Sequence, residues 1–136
     1  MHVMKDAADD AELRTAFDSA QTGDPSFIVV NGMRSVREPC TEQLYRQRTA
    51  LLESGSVPVV LSLAGSDWIG CRDRQGRPAA MTWLNLLRDQ VYGEISWSGA
   101  KHLSLRRQSA SRAFRNYAEN TRWVMDNVLF ATLNLP

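Results

Sequence analysis

Residues 27–63 decide the fold: FIVV (27–30), NGMRSVREPC (31–40), TEQLYRQRTALLES (41–54), then Gly55, Ser56 and VPVVLSL (57–63). Phe27-Ile28-Val29-Val30 is wholly apolar and mostly β-branched. Such a run reads as a strand buried on both faces, the kind found in parallel sheets. Thr41 to Ser54 places Leu44, Tyr45, Leu51 and Leu52 on one side of a helix, with Gly55 as its stop. Val57 to Leu63 is a second apolar strand. Strand, helix and strand at this spacing form a βαβ unit, whose default geometry is parallel strands joined by a right-handed crossover.

Outward from this unit the pattern continues. Leu13, Ala16, Phe17 and Ala20 recur with helical period between Asp9 and Thr22. Asp9, Asp10 and Glu12 suit the positive end of that helix, and Gly23-Asp24-Pro25 ends it. Met1 to Ala8 has no apolar signal-peptide core and reads as a flexible tail, with no strand expected before residue 9. A polar, glycine-bearing loop spans Ala64 to Pro78. A third helix is expected from about Pro78 to Val91, with Pro78 in its first turn and Met81, Leu84, Leu87 and Val91 on its apolar side. Tyr92 to Asn120 is weakly patterned, with a short strand expected at Leu103 to Leu105. Thr121 to Met125 and Val128 to Leu133 read as a hairpin turning at Asp126-Asn127. Residues 1–136 therefore form one α/β domain: a small parallel sheet with flanking helices and a C-terminal β-hairpin.

The 136 residues are 43% hydrophobic and 23% charged, ordinary globular values that exclude disorder and collagen-like repeats. No apolar run approaches the roughly 18 residues of a membrane span, so no membrane partner is expected. Two cysteines cannot build a tetrahedral cysteine zinc site. His2 and His102 leave little for metal chemistry or a catalytic triad. His102 reads as a lone exposed or hydrogen-bonded side chain, and the four tryptophans as packing residues.

The net charge of +1 points to neither nucleic acid nor a membrane surface, but charge is uneven along the chain. Residues 1–24 hold six acids and two bases; residues 101–122 hold six bases and one acid. The plain reading is two solvated faces of opposite sign. The sharper one is an anion or nucleic-acid patch over 101–122. Against nucleic acid, only Phe114 and Tyr117 are available to stack there, and arginine outnumbers lysine 14 to 2 throughout. A nucleic-acid or anion binder through this stretch therefore stands as a second alternative, behind the two readings given below.

Ligands of open α/β sheets bind at loops beyond the carboxyl ends of the strands. Two such loops follow the two central strands, Asn31-Gly32-Met33-Arg34-Ser35 and Ala64-Gly65-Ser66-Asp67-Trp68. The candidate ligand-binding residues are Asn31, Arg34, Ser35, Ser66 and Asp67, with Trp68 as a pocket wall. A small anion held by Arg34, Ser66 and neighbouring backbone N–H groups is the ligand these residues suit.

Several motifs occur together: Pro39-Cys40, Asp67-Trp68, Cys71, Glu119-Asn120, Arg122-Trp123 and Phe130-Ala131-Thr132. In this combination residues 25–136 resemble one branch of the calcineurin-like metallophosphoesterase family. The resemblance implies a partial, truncated version of that family's sandwich and a dinuclear metal site for phosphate-ester hydrolysis. The departures bear on the chemistry. Gly32 stands where the family has a metal-binding Asp, Ser66 where it has an Asn ligand, and Ala64-Gly65 where it has Gly-Asp. The first strand's Asp-x-His has no counterpart, and the family's later histidine motifs would lie beyond Pro136. A dinuclear site needs several carboxylate, imidazole and amide donors converging on two ions. The expectation is a degenerate, non-catalytic scaffold or binding protein with no catalytic residue, metal or cofactor. The alternative is a metal-dependent phosphoesterase completed by missing segments or a partner. Open sheet edges imply a homo-oligomer. Cys40 and Cys71 fall in the two strand-end loops, either as free thiols or as a disulfide. The disulfide would imply a periplasmic or secreted protein, with its signal sequence outside this chain.

Overall fold

The computed structural model describes residues 2–5, 10–93 and 103–134. The chain runs β1 (His2–Lys5), α1 (Asp10–Thr22), β2 (Ile28–Asn31), α2 (Glu42–Glu53), β3 (Val59–Ser62), α3 (Ala80–Leu87), β4 (Arg106–Arg107), β5 (Thr121–Met125) and β6 (Val128–Thr132). A single 3-10 turn, Gly65–Asp67, follows β3, and a π-helical turn, Arg88–Gly93, extends α3. Two more 3-10 turns, Gln108–Ala110 and Arg112–Phe114, lie between β4 and β5.

β1, β2 and β3 form a parallel sheet in that order, and β4, β5 and β6 an antiparallel one. The alternation of side chains along β2 and β3 explains why both strands are apolar up to their last residues, Asn31 and Ser62. Ile28 and Val30 of β2, with Val59 and Leu61 of β3, face the helices. They join Leu13 and Phe17 of α1, Tyr45 and Leu52 of α2, and Leu84 and Leu87 of α3 in the main core. Val29 and Val60, paired in register, face the other way. They pack with Phe27, Leu103, Trp123, Met125 and Phe130 in a second core. The parallel sheet is thus sandwiched between the helices and the antiparallel sheet. Phe27 stands edge-on to Trp123 at 5.3 Å and to Phe130 at 5.0 Å, while Trp123 and Phe130 stack at 5.4 Å. Each such buried side chain contributes about 1.5–3 kcal/mol.

Local chemistry fixes the ends of the elements. Thr41 caps α2, its hydroxyl accepting from the Leu44 N–H at 3.3 Å. The β5–β6 turn has both Asp126 and Asn127 at positive φ, 50° and 62°, the geometry that suits a two-residue hairpin. Gly55 follows α2 where α1 passes close by. A Cβ there would lie 2.6 Å from the Phe17 ring and 2.6 Å from the Gln21 amide oxygen.

Four expectations are corrected. First, a strand does precede residue 9: His2–Lys5 pairs with β2 along its length, from His2 with Ile28 to Lys5 with Asn31. The parallel sheet therefore has three strands, and residues 2–5 are not a loose tail. Second, Pro78 lies outside α3 and bridges Arg72 across a tight turn built on Asp73. The Asp73 carboxylate takes the Gln75 and Arg77 N–H groups, both at 2.9 Å. Third, the expected helix is α-helical only from Ala80 to Leu87 and continues to Gly93 as the π-helical turn, and Met81 is exposed because α3 presents Leu84 and Leu87 to the core instead. Fourth, the strand expected at 103–105 lies at Arg106–Arg107. Ser104, at φ 51°, bends the chain and leaves Leu103 buried in the second core. Trp97, Lys101 and His102 lie outside the described residues.

Candidate functional site

The loops leaving β2 and β3 meet side by side, as parallel strands require. Gly32, at φ 84°, turns the first loop and donates its N–H to the Ser62 carbonyl at 2.8 Å. The 3-10 turn Gly65–Asp67 then brings the Asp67 carboxylate back under both loops. It is fully buried, accepting from the N–H groups of Met33 at 2.8 Å, Arg34 at 2.9 Å and Ala64 at 2.9 Å. Burial raises its pKa from 3.8 to about 6, although the three N–H bonds act in the opposite direction. The Tyr45 hydroxyl donates to the Asp67 carbonyl. Burial and the neighbouring Asp67 charge push that phenol above its ordinary range.

Arg34 is also buried. Its guanidinium donates to the carbonyls of Ser35 at 3.1 Å, Glu38 at 2.5 Å and Ile69 at 3.2 Å. One side chain thus spans both loops. Cys40 and Cys71 are disulfide-bonded, with Cα atoms 5.6 Å apart, which joins the same loops covalently. Of the two states the sequence leaves open, the chain takes the crosslinked one.

The other candidates are less engaged. Asn31 ends β2 with an exposed side chain, and the Ser35 hydroxyl accepts from Arg37 N–H at 3.3 Å. Ser66 Oγ and the Trp68 indole N–H are buried without a hydrogen-bond partner among the described residues. Trp68 packs against the main core. Asp67 and Arg34 are therefore brought together as a latch, and Asn31 and Ser35 stand at its edge. A groove of about 490 Å³ opens between α1 and α2 near Asp10, Arg14, Gln47 and Arg48, and none of the six candidate residues lines it.

Two further charged residues, neither among the six candidates, are buried with matched partners. Arg48 is buried on α2, bound to Glu38 at 2.5 and 2.8 Å and to Asp10 at 2.9 Å, and it donates to the Met33 carbonyl. Burial alone would lower its pKa; the two carboxylates more than offset this and raise it. Glu119, also buried, is bidentate to Arg88 at 2.5 and 2.9 Å. A signal for Arg48 existed: it lies three residues after Tyr45 and four before Leu52, inside the buried stripe of α2. Glu119 sits in weakly patterned sequence and carries no such signal.

As chemistry, the latch holds a carboxylate, a guanidinium and a phenol, each already spent on backbone partners. Among the described residues, no three His, Cys, Asp or Glu side chains are grouped to hold a metal ion. The donors a dinuclear metal centre needs are thus not assembled by the residues described at the ends of β2 and β3. Asp6 and Asp9, which follow β1 in the sequence, lie outside the described residues. No helix among the described residues is long and apolar enough to cross a membrane. Fold and site define a mixed α/β protein whose two central strand-end loops are locked together. Comparison with family models, curated proteins and solved structures finds no match.

Proposed function

We propose that the chain is a non-catalytic scaffold or binding protein of calcineurin-like metallophosphoesterase type. The observation that carries this reading is the use made of polar groups beyond β2 and β3. Asp67, Arg34 and Tyr45 fasten loop to loop, the cysteines are crosslinked, and Gly32, Ala64 and Gly65 bring no side-chain donor. β1 supplies a strand end for Asp6, but the sequence there reads Asp6-Ala7-Ala8-Asp9, without the histidine of the family's Asp-x-His. One carboxylate in the sequence, with a glycine and a serine at two of the other ligand positions, still falls short of the ligand set two metal ions need. Anion capture at Arg34 would have to reach a buried guanidinium whose two terminal nitrogens are held by three carbonyls, leaving only Nε without a partner among the described residues. As a scaffold the chain pairs with a second copy through β6, whose outer edge carries no strand among the described residues.

The test is metal content after incubation with manganese and desalting, together with manganese-stimulated hydrolysis of a chromogenic phosphodiester. The expected result is far less than one ion per chain and no metal-dependent turnover. Two bound ions per chain with turnover would replace this reading with a metal-dependent phosphoesterase.

A further inference from the structure

From β4 through β5 the chain carries Arg106, Arg107, Arg112, Arg115 and Arg122 against a single acid upstream of the hairpin turn, Glu119. Glu119 is buried and forked onto Arg88, so its charge is already matched. Arg106, Arg112, Arg115 and Arg122 are exposed, and none makes an ion pair among the described residues. The register sets Arg106 directly opposite Arg122 on the solvent face of the antiparallel sheet. Like charges in that position repel, and an anion bridging them relieves the repulsion.

Aromatic rings accompany this charge. Phe114 and Tyr117 are 46% and 44% exposed, with centroids 6.5 Å apart, and Arg112 and Arg115 flank Phe114 along the chain. The Arg88 guanidinium stands 5.6 Å from the Tyr117 ring centre while Glu119 holds it in place. The ring is thus steadied from one side while much of it stays open to solvent.

We propose that residues 106–122 form a docking surface for single-stranded nucleic acid, with phosphates against the four free arginines and bases stacked on Phe114 and Tyr117. The rings decide the kind of partner. The carboxylates of an acidic polypeptide would engage the arginines alone, and a duplex keeps its bases stacked on each other, whereas unpaired bases stack readily on aromatic side chains. This gives the non-catalytic reading a partner but uses none of the strand-end features, so each can fail alone.

The test is fluorescence anisotropy of a labelled 12-mer of deoxythymidine titrated with the full chain from 20 to 200 mM salt. Four phosphate contacts on a single strand predict a log–log salt slope of about −3. Arg106→Gln with Arg122→Gln should flatten that slope by about 1.4, since each contact contributes about 0.7. Phe114→Leu and Tyr117→Leu should each weaken binding several-fold at unchanged slope. All four positions are exposed or half-exposed, and thermal melting confirms that the variants fold. Arg112→Gln with Arg115→Gln is a second charge variant, lying in an exposed turn outside the sheet. No salt-dependent binding overturns the proposal. So does equal binding of a duplex or of polyglutamate, or indifference of affinity to both ring substitutions.

Discussion

Asp67 is a carboxylate sealed from water beneath two loops, and burial raises its pKa from 3.8 to about 6. The folded chain then holds its proton more tightly than the unfolded chain does. Between about pH 4 and pH 6 the native state binds more protons than the unfolded state, so stability falls as pH rises through this window and levels off above it. The full loss is about 3 kcal/mol, at about 1.4 kcal/mol per unit, with a little over 2 kcal/mol of it falling between pH 4 and pH 7. Asp67→Asn removes this titration and turns amide hydrogens toward backbone N–H donors, so it destabilises at every pH. Its penalty should be largest near pH 4 and smaller by about 2 kcal/mol at pH 7, read from urea denaturation of both proteins across the range. A penalty that grows with pH would mean the three N–H bonds outweigh burial. Arg48 makes a similar case with opposite charge. Arg48→Met strips the Met33 carbonyl and the largely buried Glu38 of their donor, which should cost about 3–5 kcal/mol in the same measurement. Adding Glu38→Gln should recover part of that loss.

Elements inherit their limits from such residues. Gly55 lets α2 turn into the strand that follows while α1 passes close, and a Cβ there would press on the buried Phe17 ring and on the Gln21 amide. That amide oxygen is already committed to the Ser56 N–H at 2.9 Å. Gly55→Ala should therefore destabilise by about 1–3 kcal/mol, as a lower urea midpoint at unchanged slope. The Cys40–Cys71 crosslink closes a loop spanning α2 and β3, its ends 31 positions apart. Reduction should cost about 2–4 kcal/mol, the usual worth of such a crosslink. Comparing urea unfolding with and without reductant checks this, and two free thiols in unreduced, denatured protein would remove its basis. The elements legible in the sequence are those whose pattern has one cause. Phe27–Val30 and Val57–Leu63 are apolar because β2 and β3 are covered on both faces, and Asp126-Asn127 is a turn because both residues accept positive φ. β1 was not legible: His2-Val3-Met4-Lys5 has no alternation or β-branched run, and only pairing with β2 makes it a strand. The site was half legible. Strand-end loops marked Arg34 and Asp67, but the backbone partners that tie one loop to the other lie more than thirty residues away and have no local signature.

Across the whole molecule the two sheets end differently. The parallel sheet is covered on both faces, by the helices and by the antiparallel sheet. Among the described residues the antiparallel sheet is covered on one face alone. Trp123 and Phe130 turn inward, while Val124 and Leu129, paired across the strands, are each 64% exposed, and Leu133 beyond them is 62% exposed. Aliphatic side chains beside an unpaired edge strand are a self-associating surface unless charge blunts them. β6 itself, Val128–Thr132, carries none. Two copies of β6 aligned antiparallel across a two-fold axis would satisfy each other's main-chain groups and bring both Leu129 side chains under cover, since a two-fold interface uses one patch twice. Light scattering after size exclusion should give a dimer at tens of micromolar. Leu129→Lys, which leaves the inward-facing Trp123 and Phe130 untouched, should give a folded monomer. If the unmodified chain stays monomeric at high concentration, the exposed aliphatic face must be covered by something other than a second copy, and β6 loses its assigned partner.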